Sequence, residues 1–388
     1  MKIALISPYD FIYPSGVNIH IASLERQFTR MGHDVRIVAP LSGKVSPTSG
    51  KFIRIGTPVP IPLGGTICRV TISLRLGPTI KTVLSQENFD IIHLHEPFMP
   101  MLCTAVLRFS NTATVATFHA FGGKPGYKFG RPISTIMLRR RLHKLDGKIA
   151  VSQAAMEFAS KHVPGHYNII PNGIDLELFS PDVSPISEFC DGKLNIVFVG
   201  RLEKQKGVDY LIRAYRRVRQ EISNARLIII GPGTRLRGKY EKEVLRSGLK
   251  DVIFVGGRSQ SELPPYYKAA DVFCAPATGL ESFGIVLLEA MAVGKPIVAT
   301  NIEGYNGVLT HGMEGLLVPP KNEKMLAQAL VSLLTNESLR QEMAARARLK
   351  VKEYGWEHIA QRLLNYYTRI LSEPPWKKRL PEVEAMSV

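Results

Sequence analysis

Cysteine is scarce in this chain: 388 residues hold only Cys68, Cys103, Cys190 and Cys274, none at a CxxC or Cys/His ligand spacing. That excludes a disulfide framework and a cysteine-built zinc site, and it reads the four as small core residues. No apolar run reaches the roughly 18–20 residues that span a bilayer. The opening "MKIALISPYD" is strand-like and too short for a signal peptide, so a chain that starts and works in the cytosol is expected. Acidic residues are also short, 33 Asp plus Glu against 50 Lys plus Arg, a net charge of +17. Such a balance favours polyanions, anionic lipid or phosphorylated small molecules without choosing among them. There is no tandem repeat of solenoid period, no motif that reads DNA or RNA, and no DxD pair to hold a metal.

What is present is a βα rhythm. "KIALIS" reads as a short buried strand, followed by a glycine-containing loop and the helical spacing of Ile19, Leu24 and Phe28. "DVRIVAP", "DIIHLH", "ATVATFH" and "GKIAVS" repeat the strand signal, which implies a parallel sheet covered on both faces. The rhythm restarts after "YNIIPNGIDLELFSP" with "LNIVFVG", "RLIIIG", "DVIFVG", "DVFCAP" and "KPIVAT". Two doubly wound α/β domains follow, with a boundary where Pro, Gly, Asn and Ser cluster between Pro171 and Asp191 and Asn172-Gly173 signals a turn. From Trp356 the spacing predicts an amphipathic helix, and the proline-rich stretch after it a frayed tail.

Each domain's first loop carries phosphate-binding features, because a glycine-containing loop that feeds a helix presents free N–H groups and a positive dipole end. In the first domain the glycine is Gly16, equally readable as a plain turn residue. In the second, "VGRLEKQKGVDYL" sets Arg201 and Lys206 beside a helix opened by Gly207, cations that suit a diphosphate or form a solvated face. "GLESFGIVLLEA" places Glu281 before a helix and Glu289 within it. A carboxylate accepts two hydrogen bonds from vicinal hydroxyls, so one could hold a ribose and the other a hexose. The plainer alternative is a capping Glu281 and a surface Glu289.

Gly16, "TFH" ending at His119, "GRLEKQKG" and the glutamates of "ESFGIVLLE" together resemble the retaining glycosyltransferases of family 4. "VPIP", "RLGP", "HLHEP" and "ESFGIVLLEAMA" are similar, within that family, to bacterial phosphatidylinositol mannosyltransferases. The resemblance implies a GT-B fold: two Rossmann-like domains facing across a cleft, an acceptor domain over 1–172, a nucleotide-sugar domain over 173–355, and a helix in 356–388 that crosses back to the first domain. It implies that Arg201 and Lys206 neutralise the departing diphosphate and that Glu289 binds the ribose. Glu281, with the backbone of Phe283, Gly284 and Ile285, holds the donor sugar. By the same resemblance Gly16 lets the backbone approach the β-phosphate, His119 lies beside the transferred sugar, and the segment Val255 to Leu263, with Gly256, cradles the base. His119 reads equally as a strand-end histidine with a structural hydrogen bond.

The implied donor is a nucleotide sugar, GDP-mannose by resemblance. No metal is required where two fixed cations do its work. The implied acceptor is an anionic membrane lipid, phosphatidylinositol, at the inner membrane face, contacted through Tyr9, Arg69 or Arg75, and Ala120. Here the chain departs from the family: Leu63-Gly64 and Ala120 stand where Tyr-Asn and Thr are usual. The stretch from Phe121 to Lys144 interleaves cations with apolar residues, fitting either an anionic lipid surface or a basic helix face. Rival readings are a UDP-sugar transferase with another lipid or glycan acceptor, a sugar-nucleotide epimerase, and a basic peripheral membrane protein without catalysis.

Overall fold

The computed structural model describes residues 1–13, 15–43, 51–63, 66–73, 76–99, 101–120, 140–233 and 235–372. The polypeptide packs as two units, one formed by Met1–Pro171 together with the chain from Trp356, the other by Asn172–Gly355.

In the first unit β1 (Lys2–Ile6) leads into α1 (Gly16–Arg30), β2 (Asp34–Ala39), β3 (Phe52–Arg54), β4 (Pro58–Leu63), β5 (Thr66–Thr71) and α2 (Leu76–Glu87). Then come β6 (Ile91–His95), α3 (Leu102–Phe109), β7 (Ala113–Phe118), β8 (Gly147–Ala150), α4 (Gln153–Ser160) and β9 (Asn168–Ile169). Seven strands form a parallel sheet in the order β3-β2-β1-β6-β7-β8-β9, with Ile3 beside both Val35 and Ile91. Strands covered on both faces bury every side chain, as "IIHLH" and "ATVATF" do, so the polar His93, His95, Thr114 and Thr117 among them are buried too. Ser15 caps α1 by accepting from the Asn18 amide at 3.1 Å. Its buried apolar line is Ile21, Leu24 and Phe28, while Ile19, expected on that line, is only half-buried.

In the second unit the strands are β10 (Leu194–Val199), β11 (Ala225–Ile230), β12 (Val252–Gly256), β13 (Val272–Ala275), β14 (Ile297–Thr300) and β15 (Gly315–Val318). They form a parallel sheet in the order β12-β11-β10-β13-β14-β15. Around them lie α5 (Val208–Glu221), α6 (Arg237–Arg246), α7 (Pro264–Lys268), α8 (Ile285–Ala292), α9 (Glu303–Asn306), α10 (Glu323–Thr335) and α11 (Glu337–Lys350). Val208, Leu211, Tyr215 and Val218 recur at helical spacing along α5 and seal one face of the sheet together with Leu326, Leu330 and Leu333 of α10.

The last described helix, α12 (Trp356–Ser372), belongs to the first unit. It buries Ile359, Leu363 and Tyr367 in the core that also holds Leu24 and Phe28. A fully buried side chain of this size contributes about 1.5–3 kcal/mol. Gly147 has no side chain where a Cβ would lie 2.6 Å from the Tyr366 hydroxyl, so the helix sits directly on β8.

Three features differ from the sequence reading. Only Cys103 and Cys274 are core residues; Cys190 is exposed, in a surface segment between the units' sheets in sequence, and Cys68 is half-buried on β5. The short strands β3, β9 and β15 gave no periodic signal. The hairpin of β4 and β5 was hidden by Pro58, Pro60 and Pro62, which pair with Thr71, Arg69 and Ile67. Prolines on alternate residues of a peripheral strand all turn their ring nitrogens away from the partner, so no ladder bond is lost. The expected frayed tail beyond Ser372 lies outside the described residues.

Candidate functional site

In the second unit the strand order reverses between β10 and β13, so the loops leaving their carboxyl ends run to opposite faces and open a crevice. Both charged motifs stand on these two loops. Gly207, at φ +71°, closes the first; a Cβ there would lie 1.9 Å from the Pro276 carbonyl oxygen, so only glycine lets the second loop pack onto it. The Thr278 amide donates to the Gln205 carbonyl at 2.8 Å across the same seam. Lys206 Nζ meets Glu281 Oε1 at 2.6 Å, with side chains 20% and 13% exposed. The Arg201 guanidinium, half exposed, lies 3.1 Å from the Glu203 carboxylate.

Glu281 is held by an unusual turn. Leu280 takes φ +62°, a conformation disfavoured for leucine, and Gly284 at φ +82° forms the N-cap of α8. A Cβ on Gly284 would meet the Tyr305 ring at 2.6 Å, and one on Gly304 would lie 2.0 Å from the Glu281 carbonyl oxygen. The Phe283 side chain is buried against Tyr354, ring centroids 6.0 Å apart, leaving backbone rather than side chain at the crevice. Ile285 and Val286 open α8, whose first amides have no intrahelical acceptor.

Glu289 is not a surface residue: it is 6% exposed, and its carboxylate accepts from the Tyr267 hydroxyl. Burial pushes its pKa up to about 7, against the Tyr267 hydrogen bond, which favours the charged form. Tyr267, on α7, is a site-shaping residue that nothing in "PPYYKAA" singled out. Gly256 ends β12 at φ +90°, two strands from β10. Beyond it the Arg258 guanidinium reaches the Tyr266 hydroxyl at 3.1 Å, and Glu262 accepts from the Ser259 amide at 2.8 Å.

The first unit has its own reversal, between β1 and β6. Gly16 begins α1, with open space where a Cβ would stand. His20 of α1, His95 at the end of β6 and His119 after β7 converge: His95 Nδ1 and His119 Nε2 are 3.1 Å apart, and the His20 and His119 ring centroids 4.9 Å. Loss of water lowers the pKa of both His95 and His119, and neighbouring imidazoles lower it further, which favours the neutral rings. His93 behind them, brought down to about 3, bonds Tyr367 Oη at 2.6 Å and Thr117 Oγ1 at 2.7 Å. His119 thus has the structural hydrogen bond that its plainer reading foresaw. Its amide also donates to Glu96 Oε2 at 3.3 Å.

Tyr9 pairs antiparallel with Val70 of β5, and the Arg69 guanidinium lies 3.8 Å over the Tyr13 ring. Asn18, overlooked in the sequence, organises this loop: it donates to the Asp10 and Tyr13 carbonyls at 2.9 and 3.0 Å and accepts from Ser7 Oγ at 2.8 Å. Beside Tyr9 a pocket of about 210 Å³ is lined by Pro8, Ile61, Val70, Ile72, Met99 and Met101, with exposed Ile12, Ile67 and Ile72 nearby in the same loop and hairpin. Ala120 follows His119, half-buried. Arg75 and Gly64 lie outside the described residues, as does the basic stretch from Phe121 to Arg139. Arg141, one of the cations of the Phe121 to Lys144 stretch, donates to the Thr104 carbonyl at 3.3 Å.

Residues 14–178 match the sequence family Glycosyltransferase Family 4, and residues 181–350 match Glycosyl transferases group 1. The chain is 34% identical over 377 residues to the phosphatidyl-myo-inositol mannosyltransferase of Mycobacterium leprae, covering 95% of this chain and 97% of that protein. It is 32% identical to the protein of that name from Propionibacterium freudenreichii, covering 95% of each. Among solved structures, the sucrose-phosphate synthase of Thermosynechococcus elongatus superposes with a TM-score of 0.76 at 22% identity, over 96% of this chain and all of that one. Anabaena HepE in complex with UDP and glucose gives 0.74 at 20% identity, over 95% and 99%. Parallel sheets with loops gathered at two switch points, whole-length sequence similarity and the shared fold agree: the chain belongs to glycosyltransferase family 4 and has the GT-B fold of two Rossmann-like domains.

Proposed function

We propose that this enzyme transfers mannose from GDP-mannose, with retention of configuration, to phosphatidylinositol at the inner face of the cell membrane. The observation that carries the proposal is the whole-length similarity, 31–34% over 95% of the chain, to proteins named phosphatidyl-myo-inositol mannosyltransferase. The switch-point geometry supports it. Lys206 and Glu281 hold one another in place, so an arriving donor meets an ammonium for its diphosphate and a carboxylate for its sugar hydroxyls already oriented. Arg201 supplies the second cation, the amides of Phe283, Gly284 and Ile285 complete the sugar contacts, and Glu289 takes the ribose. Gly16 is assigned the backbone contact to the β-phosphate, and the loop after Gly256 the base.

Transfer needs no protein nucleophile in this reading. The glycosidic bond to the diphosphate breaks, Arg201 and Lys206 stabilise the negative charge that develops on it, and a leaving-group oxygen takes the acceptor hydroxyl's proton as the new bond forms on the same face. His119 stands beside the sugar where charge develops. A lipid acceptor is supported by the apolar pocket lined by Pro8, Ile61, Val70 and Ile72, and by Arg69 of the same hairpin, a cation suited to a phosphodiester.

The test is a panel of nucleotide sugars and membrane lipids with products weighed by mass spectrometry. Mannosylated phosphatidylinositol formed from GDP-mannose is expected. Hexose transferred only from a UDP-sugar, or to another acceptor, would refute the donor or acceptor assignment, and isomerised nucleotide sugar would replace transfer with epimerisation.

A further inference from the structure

We propose that His20, His95 and His119 form a binding site for a divalent cation of the zinc class. The three imidazoles offer nitrogens that all lie within 4.8 Å of one another. Zinc binds imidazole nitrogen at about 2.0–2.1 Å, which sets tetrahedral ligand atoms about 3.4 Å apart. His95 Nδ1 and His119 Nε2, at 3.1 Å, already stand near that spacing. The remaining closure is on the order of an ångström, within the reach of ring rotation in a three-histidine set.

The ligands come from three elements whose backbones are fixed by the parallel sheet: α1, the end of β6, and the turn after β7. The fold pairs His95 only through Nδ1, to His119, and leaves its Nε2 buried without a hydrogen-bond partner among the described residues, so no contact to a third group holds this ring against turning toward a metal. His93, the nearest further imidazole, does not compete, because Tyr367 and Thr117 engage both of its nitrogens. An all-imidazole set selects zinc, copper or nickel over magnesium and calcium, which require oxygen ligands. Three ligands leave a fourth position for water. Binding exchanges the His95–His119 hydrogen bond for two metal bonds and requires no oxidant or co-reactant.

The consequence for activity rests on the reading above that places His119 beside the sugar: an occupied site takes the His119 ring out of the reaction and silences transfer. The cation is thus an inhibitor of this enzyme rather than its cofactor.

Cobalt(II) alone is the probe, since its visible spectrum reports four-coordinate nitrogen sites, and Trp356, whose ring centroid is 5.0 Å from that of His20, reports proximity by fluorescence quenching. The full-length apo protein should bind one cobalt ion per chain, displaced by zinc, with quenching that Trp356→Phe removes. His20→Gln and His95→Gln, verified as folded by circular dichroism, should each weaken binding by at least the 10- to 100-fold that even an outer-shell partner costs. No saturable binding to the wild-type chain overturns the site, as does binding of equal affinity in both variants or saturation without quenching of Trp356. If His95→Gln fails to fold, the His20→Gln comparison and the wild-type spectrum decide. Stoichiometric binding with transfer undiminished would leave the metal site standing and remove His119 from the reaction, so the two failures are separable.

Discussion

At the scale of single residues, the Lys206–Glu281 pair changes what each substitution tests. Lys206→Ala removes the cation proposed for the leaving diphosphate and also leaves Glu281 without its ion-pair partner. Turnover should fall by about ten- to a thousandfold with the circular dichroism spectrum intact; unchanged turnover would sink the role. Glu281→Ala should depress transfer while sparing affinity for GDP, which carries no sugar, and an equal loss of GDP affinity in Glu281→Ala and Glu289→Ala would end the division between them. Glu289 adds a pH signature. Its carboxyl group, raised to about 7 by burial, is protonated below that value and ionised above it. A ribose contact that needs an acceptor carboxylate should therefore strengthen as pH rises through about 7 and level off beyond, measured as GDP affinity by calorimetry. Glu289→Gln should abolish this step; a step of the same size in the variant assigns it to another group.

At the scale of elements, the β4–β5 hairpin is, among the described residues, the element the proposed lipid acceptor implicates. Ile67 on it and the adjoining Ile72 are exposed, Ile72 lines the 210 Å³ pocket, and Arg69 lies between them in sequence. Ile67→Asp with Ile72→Asp should reduce co-sedimentation with anionic vesicles severalfold while donor binding, placed on the second unit, is retained. Pelleting equal to the parent across a salt series would show the hairpin to be an ordinary solvent-facing edge. The turn before α8 shows another element-level constraint: Gly284 fits only because Tyr305 occupies the space of its missing side chain. Gly284→Ala should thus cost stability at the loop before α8, read as a lower melting temperature and, if that loop holds the sugar as proposed, weaker donor binding together.

At the scale of the whole molecule, α12 returns to the first unit and carries Tyr367 to His93. Tyr367→Phe keeps the packing and strips the buried His93 Nδ1 of its partner, a loss of about 1–3 kcal/mol. That should lower the melting temperature by several degrees, at about 2–4 °C per kcal/mol for a unit of this size. No change in melting temperature would mean that the network behind the histidine cluster is not structural. The net charge of +17 acts at this scale too: association with anionic membranes should weaken as salt rises, because exposed charges are screened beyond about 10 Å at 0.1 M.

The main sheet strands and the positions of the two glycine-containing loops were legible in the residues because buried parallel strands are short, mostly apolar runs and glycine marks where chains must approach. "KIALI", "LNIVFV" and "VFCA" signalled their strands without ambiguity. Arg201, Lys206, Glu281 and Glu289 stood out by type and spacing, but their environments did not. Spacing alone favoured a surface Glu289, whereas the fold buries it under Tyr267, 22 positions away, and that distance in sequence carries no periodic signal. The hairpin was masked by prolines that only a peripheral strand tolerates. His20, His95 and His119 were separate letters on three elements until parallel pairing of β1, β6 and β7 brought them together. Sequence determined which elements form, because that depends on local periodicity and turn chemistry. Tertiary structure decided which side chains share a site and how far their charges shift, because both depend on contacts between strands remote in the chain and on the water those contacts exclude.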